Sequence, residues 1–410
     1  MRDRLVNKQA ALARGVPPLH RQGMVRPPAP AFSRTVTIDG NRLTFHPDGP
    51  DRLAALLDLI GSAKKSLRLL YYIFAADRTG DLVREALIDA INRGVDVALL
   101  IDGFGSSSTP ETYFHELSEA GARFCRFLPS LGRRYLIRNH QKLALADGKR
   151  VLIGGFNIAD DYFRPADAGG WRDTGLTIEG PSAARLAPYF DALMDWAVTP
   201  RSKIRDLRSI IHRFSETSGK LQWQYGGPME RSSPWANSTC RDLSRSCDVE
   251  MIAAYFAPPG GMLRRIARVG RTGRARIITA AKSDNFATIA AARFTYGRLL
   301  KRGVRVFEYQ RSKLHSKLLV LDDVAHVGSS NFDYRSIYLN LEMMLRVEDP
   351  EFASLMRVYF EGELEACIEI TPELHAERSS LLNRIKWALS FFVVSLADYT
   401  VTRRLNFGGE

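Results

Sequence analysis

The strongest constraint on how this chain can fold is a pattern written into it twice. Asn139-His140-Gln141-Lys142-Leu143-Ala144-Leu145-Ala146-Asp147 leads into Gly154-Gly155-Phe156-Asn157. Much later, Leu314-His315-Ser316-Lys317-Leu318-Leu319-Val320-Leu321-Asp322 leads into Gly328-Ser329-Ser330-Asn331. Both read H-x-K-x4-D followed by G-[GS]-x-N. Given a His, finding Lys and Asp at the required offsets has a chance on the order of one in several hundred, so two occurrences are not coincidence.

The surroundings of the two stretches repeat as well. Ser66 to Phe74 reads as an aromatic-rich buried strand, and Val83, Leu87 and Ile91 mark an amphipathic helix that stops at Gly94. Val95 to Ile101 then reads as a parallel strand reached by a helical crossover. In the second half, Asp248 to Phe256 answers the first strand and Arg274 to Thr279 the second. Each half then runs through a Gly and another strand into its motif. Beyond the motifs, Asp173 stands six residues before Glu179 and eight before Pro181, and Glu342 stands six before Glu348 and eight before Pro350. The chain is therefore an internal duplication of roughly 150 residues, too long for a solenoid unit.

These patterns predict an α/β protein of two similar lobes, each a mixed sheet flanked by helices, related by a pseudo-twofold axis. The expected divisions are a basic, Pro-rich tail over 1–34, a first lobe over 35–198 and a connection of partial order over 199–247. A second lobe over 248–372 and a C-terminal helical segment over 373–410 complete the chain. The tail holds seven Arg and Lys and one acid with no apolar core behind them, which does not read as a secretory signal. The composition, 45% hydrophobic and 25% charged, is that of a globular protein. The formal charge of +13 implies an anionic partner, either a nucleic-acid backbone or an acidic lipid surface. Cys125, Cys240, Cys247 and Cys367 have no metal or redox spacing and read as free thiols of a reducing compartment.

Strand periodicity divides the motif residues. His140 and Lys142 share one face, as do His315 and Lys317, whereas Asp147 and Asp322 fall on the opposite parity at a hairpin turn. Each Asp is therefore expected to act structurally. Gly155 and Ser329 let backbone approach closely, and Asn157 and Asn331 offer side-chain donors. Two imidazoles, two ammonium groups and two amides around one cavity suit a phosphodiester: one neutral His attacks phosphorus and one protonated His donates to the leaving alcohol. Lys and Asn would stabilise the charge on the non-bridging oxygens. Asp173 and Glu342 are candidate partners for the second nitrogen of each imidazole. No cluster of metal-binding residues is evident. The remaining six His read as hydrogen-bonded core or surface residues, and Tyr71 and Tyr72 as core and cleft wall.

These stretches resemble the phospholipase D superfamily over about residues 37–372. Tyr71 to Gly80, Asp102-Gly103-Phe104-Gly105-Ser106, and Gly227-Pro228 to Pro234-Trp235 are similar in particular to bacterial cardiolipin synthases of the type without N-terminal membrane spans. The resemblance implies catalysis by His140, Lys142, Asp147, His315, Lys317 and Asp322, with Asn157, Asn331, Gly155 and Ser329 at the phosphate. It implies a phosphohistidine intermediate, no metal or other cofactor, and transfer of a phosphatidyl group from phosphatidylglycerol to the hydroxyl of a second phospholipid. His140 is the expected nucleophile and His315 the expected acid. The rival outcomes are hydrolysis to phosphatidic acid, a nuclease or other phosphodiesterase of the same superfamily, and a membrane binder without catalysis. The partners implied are anionic phospholipids and the cytoplasmic face of the cell membrane, with nucleic acid not expected. One departure stands out: six residues separate Asp147 from Gly154, but only five separate Asp322 from Gly328, so the second hairpin is tighter. At the C-terminus, Trp387 to Ala397 is apolar between Arg384 and Lys386 on one side and Arg403-Arg404 on the other. It is too short to span a bilayer and suits either an interfacial helix or one packed on the second lobe.

Overall fold

The duplication is visible in the order of the strands. A computed structural model describes residues 34–127, 137–229, 232–283 and 285–397. The tail over 1–34 lies outside them except for Arg34, as do Arg403 and Arg404. The first lobe contains β1 (Thr35–Ile38), β2 (Asn41–His46), β3 (Ser66–Tyr71), β4 (Asp96–Asp102), β5 (Arg123–Phe127), β6 (Leu143–Ala146), β7 (Arg150–Gly154) and β8 (Gly175–Glu179). The second follows with β9 (Leu221–Gly226), β10 (Asp248–Ala253), β11 (Phe256–Ala257), β12 (Arg274–Ala280), β13 (Arg305–Tyr309), β14 (Lys317–Leu321), β15 (Val324–Gly328), β16 (Phe332–Asp333), β17 (Glu342–Glu348) and β18 (Cys367–Ile370).

The eight-stranded sheets run β1-β2-β8-β7-β6-β3-β4-β5 and β18-β13-β12-β10-β14-β15-β17-β9. Six strands correspond one to one, in the same order, with the first three parallel and the motif hairpin antiparallel to them. The crossover helices Arg78–Asn92 and Gly260–Thr272 supply the parallel connections. The lobes differ at their edges. Leu221–Gly226 pairs with β17, so part of the stretch read as a connection over 199–247 is an edge strand of the second lobe. Its Leu-Gln-Trp-Gln-Tyr alternation buries Trp223 and Tyr225 in the core, while the Gln224 amide donates to Ser238 Oγ at 2.8 Å. The flanking Gly and Pro residues had concealed that period of two.

Each motif strand has two faces. Leu143, Leu145, Leu318 and Val320 join one core shared by both lobes, whereas Ala144 packs under the first lobe's outer helices and Leu319 under the second's. Helices Leu186–Val198, Ile204–Phe214 and Pro350–Leu364 complete the shared layer. The lobes are thus two halves of one hydrophobic unit, and burial of this core is the main force holding them together.

The motif aspartates sit at the hairpin turns. Asp147 (φ 54°) and Gly148 (φ 62°) occupy the left-handed region, as does Asp322 (φ 48°). The first hairpin pairs Ala146 with Arg150 and the second pairs Leu321 with Val324, so the missing residue is absorbed within the turn. Leu143 still faces Ile153 and Leu318 still faces Val327, and the strand ends reach the cleft in equivalent positions. The Asp147 carboxylate accepts from the backbone N–H groups of Lys64, Lys65 and Ser66 at 2.7–3.3 Å. Asp322 accepts likewise from Cys247 and Asp248 at 2.9–3.4 Å. Both therefore anchor the start of the first parallel strand of their lobe, at the end remote from the cleft.

Asp147→Ala should lower stability by about 1–2 kcal/mol, because it strips an exposed but triply used acceptor from the strand start. Turnover per folded molecule should stay within about threefold of wild type. Urea denaturation and a specific-activity assay check this together; a thousandfold loss of turnover at unchanged stability would return Asp147 to the chemistry.

Candidate active site

The site is assembled by two short backbone exchanges between the lobes. His140 N–H donates to the Leu341 carbonyl at 2.9 Å, and Leu341 N–H donates to Arg138 at 2.8 Å. Reciprocally, His315 N–H donates to the Arg172 carbonyl at 2.7 Å, and Arg172 N–H donates to Lys313 at 2.8 Å. Each motif histidine thus lies just before its strand, beside the residue preceding the other lobe's carboxylate.

The consequence is a swap. His140 Nδ1 lies 3.1 Å and 3.0 Å from the two oxygens of Glu342, and His315 Nδ1 lies 2.6 Å from Asp173 Oδ2. The carboxylate behind each imidazole comes from the opposite half of the chain, which the repeat in the sequence could not reveal. A carboxylate only accepts when ionised, and in that state it favours a proton on Nδ1 and a lone pair on Nε2. Both histidines line a single cleft of about 740 Å³, with Tyr72, Asn157, Tyr255 and Asn331 among its walls.

The two pairs are not equivalent. Asp173 occupies the space that a side chain at Gly155 would need, since a Cβ there would lie 2.4 Å from Asp173 Oδ1. It also accepts from its own lobe's Thr174 N–H at 2.7 Å. Burial pushes the Asp173 carboxyl up, but Lys317 and His315 outweigh it and hold the group below the usual carboxylate range. In the second lobe the equivalent position is Ser329, whose hydroxyl donates to Glu342. Burial nonetheless pushes Glu342 up to about 7, against Lys142 and Ser329, which favour its charged form. Burial, aided by Lys142 and Lys317, moves His140 well below its ordinary value, and burial with Lys317 lowers His315.

Lys142 is buried and carries its Nζ 5.3 Å above the Tyr72 ring, donating to the His140 carbonyl. Burial, opposed by Glu342 and reinforced by Lys317, lowers its proton affinity well below that of a free lysine. Lys317 Nζ lies 2.7 Å from His315 Nδ1. Asn157 holds the Ile73 N–H at 3.1 Å and donates to Tyr162 OH at 2.8 Å, so it also shapes the wall. Of the expected catalytic residues, Asp147 and Asp322 are not brought to the cleft, for the reason given above.

Sequence reasoning anticipated Tyr72 as cleft wall but missed the aromatic collar of His315 and two cations. Tyr162, Trp171 and Tyr255 pack around the His315 ring at centroid distances of 5.2, 5.7 and 6.3 Å, while Tyr72 packs edge-on against His140 at 5.0 Å. Arg52 is fully buried and donates to the carbonyls of Asp173 at 2.6 Å and Tyr162 at 2.7 Å. Arg172 joins Asp48 of the first lobe to Glu363 of the second. Neither Arg stands in the repeated motif, so only Arg172's adjacency to Asp173 offered a signal.

Comparison with known proteins follows from this geometry. A profile described as "Cardiolipin synthase, PLD-like domain" matches residues 56–194 and 240–364. The cardiolipin synthase of Oceanobacillus iheyensis is 30% identical over 354 residues, and that of Listeria innocua 29% over 356; each alignment covers 84% of this chain and 73% of the relative. Among solved structures, the phosphatidylserine synthase of Haemophilus influenzae matches with a TM-score of 0.66 at 16% identity, over 88% of this chain and 94% of that one. The polyphosphate kinase of Porphyromonas gingivalis matches at 0.55 and 14% identity, over 82% of this chain and 49% of the other. These two likenesses speak to the fold alone.

Two substitutions test the site. Gly155→Ala should displace the Asp173 carboxylate and lower turnover about a hundredfold with the fold retained; unchanged kinetics would show the carboxylate to be dispensable. The second is thermodynamic. Glu342 has a folded pKa of about 7 against an ordinary value of 4.5, so its contribution is fully present below pH 4.5 and lost as pH rises through 7. Glu342→Gln should therefore be more stable than wild type by up to about 3 kcal/mol at pH 8, with the advantage shrinking toward pH 5. Paired denaturation curves at the two pH values check it, and an advantage independent of pH would contradict the raised pKa.

Proposed function

Because the chain belongs to the cardiolipin synthase family of phospholipase D-like proteins, we propose that it transfers a phosphatidyl group from phosphatidylglycerol to the hydroxyl of a second phospholipid. The observation that carries this reading is the pair of imidazoles in one cleft, each backed by a carboxylate from the other lobe.

In the first step, Nε2 of neutral His140 attacks phosphorus and the bond from phosphorus to the headgroup glycerol oxygen breaks. Protonated His315 gives its proton to that oxygen, and free glycerol leaves. In the second step, neutral His315 takes the proton from the acceptor hydroxyl, whose oxygen attacks phosphorus and releases His140. Lys142 and Lys317 balance charge on the non-bridging oxygens, a role supported by their burial against the two histidines, with Asn331 and Asn157 at the cleft wall. The assignment of roles rests on the asymmetry between the pairs. Asp173 is the closer and more fully ionised partner and supports an imidazolium at position 315. Glu342 shares its charge with Ser329 and stabilises a cation at His140 less, which suits a neutral nucleophile. The work is done at a phospholipid surface on the cytoplasmic side, a reading supported by the basic charge and the four free thiols.

Purified protein incubated with phosphatidylglycerol vesicles and a chelator should form cardiolipin and glycerol in equal amounts. Phosphatidic acid as the main product would make it a hydrolase, and DNA cleavage by the same preparation a nuclease. His140→Asn and His315→Asn should each reduce turnover by about a thousandfold or more, and a variant keeping more than a few per cent of activity would refute the paired roles. The rate should fall on both sides of a pH optimum, since one imidazole must be neutral and the other charged.

A further inference from the structure

The C-terminal helix Leu381–Phe392 is packed on one side and bare on the other. Its inner side carries Trp387, buried and stacked on His375 at 5.5 Å, and Phe391, 4.9 Å from Phe294 of the helix Phe286–Leu300. Its outer side carries Leu382, Ile385 and Leu389, recurring at three and four residues and 57–79% exposed, with Leu381, Phe392 and Val393 beside them. A helix with one such stripe on the surface of a water-soluble domain exposes apolar area that ordinary folding would remove.

The stripe continues into the active cleft. Val393 and Val394, at its end, form part of the wall that also includes His140 and His315. Phe286, at the start of the neighbouring helix and next to cleft residues Asn285 and Ala287, is 80% exposed. The first lobe also presents an exposed aromatic side chain at the cleft. Phe104, two residues past β4, is 53% exposed and lies under the Arg138 guanidinium at 4.0 Å, and Arg138 too lines the cleft. Exposed Lys282, Arg384 and Lys386 flank the apolar side chains.

We propose that this surface, the outer stripe of the C-terminal helix with Phe286 and Phe104 across the cleft mouth, docks the enzyme on an anionic phospholipid bilayer and lets lipid pass from bilayer to cleft along Val393 and Val394. The proposal deepens the phosphatidyltransferase reading and rests on it for the identity of the occupant. Apolar side chains rimmed by cations match the interface of an anionic leaflet, where the stripe enters the acyl boundary and the cations meet phosphate. The helix is too short to cross a bilayer, and no helix among the described residues is long and apolar enough to do so, which places it in the interfacial plane. Continuity of the stripe with the cleft favours lipid over a second copy of the chain, since a copy seated there would cover the cleft mouth.

The test uses the full-length protein and vesicles of phosphatidylglycerol and phosphatidylcholine in equal parts, with pure phosphatidylcholine for comparison. Wild type should sediment with the mixed vesicles and at least tenfold less with the neutral ones. Combined Leu382→Ser, Ile385→Ser and Leu389→Ser should lower that partition tenfold or more and lower turnover of vesicle lipid in proportion. Turnover of a short-chain phosphatidylglycerol below its micellar concentration should stay at the wild-type level, which also reports that the variant is folded. Arg384→Glu with Lys386→Glu should weaken binding to the mixed vesicles several-fold by itself. Unchanged partition of the triple variant would overturn the proposal, as would equal loss of turnover on the monomeric substrate. A wild-type dimer that the triple variant dissolves, with partition unchanged, would overturn it in favour of a second copy. If wild type turns over neither substrate, the transferase reading fails, while the partition measurement still decides the docking surface.

Discussion

Everything at the site depends on the reciprocal backbone exchange between Arg138–His140 and Leu341, and between Lys313–His315 and Arg172. Two pairs of hydrogen bonds do three things at once. They dock the lobes in one register, fix the main chain at each motif imidazole, and bring Glu342 and Asp173 behind the histidine of the opposite lobe. Neither lobe alone holds a complete histidine–carboxylate pair. The duplicated ancestor implied by the sequence would therefore have needed a second copy of itself to be complete, and joining two copies in one chain makes that pairing intramolecular. The shared core, with residues of both motif hairpins, supplies the apolar burial that keeps the register.

Once both halves lie on one chain, they are free to diverge. Gly155 makes room for an aspartate that ion pairs hold charged, while Ser329 fills the same position and hydrogen-bonds a glutamate that burial makes reluctant to ionise. One Cβ and one hydroxyl thus separate two environments built from the same template. Environments that push equivalent groups apart are what a reaction with one basic and one acidic imidazole requires.

Much of this architecture was legible in the sequence because it repeats. The six corresponding strands, the hairpin turns at Asp147 and Asp322, and the position of Asp173 and Glu342 relative to their motifs all leave periodic or spaced traces. The tighter second hairpin leaves the strand register intact, because the residue is lost from the turn and never from the strands. What was hidden is what pairs across the lobes or lacks a repeat. The swap of carboxylates involves contacts 142 and 202 residues apart in the chain, so no local pattern encodes it. Strand Leu221–Gly226 belongs to one lobe only and sits among Gly and Pro residues, so its alternation was read as a connection. Arg52 leaves no trace either, since a single Arg on a helix gives no sign that its guanidinium will be buried beneath Asp173.

The cleft also explains how charged groups persist where water is scarce. Burying an ion is costly unless a partner or hydrogen bond offsets it, and here the offsets are incomplete by design of the geometry: Lys142 is held well below the proton affinity of a free lysine, while Glu342 is held above that of a free glutamate. Lys142 and Glu342 therefore favour their neutral forms more than free side chains do. A phosphodiester bound beside Lys142 would supply an anion that favours its protonated form. Phosphate binding and protonation of Lys142 would thereby be linked.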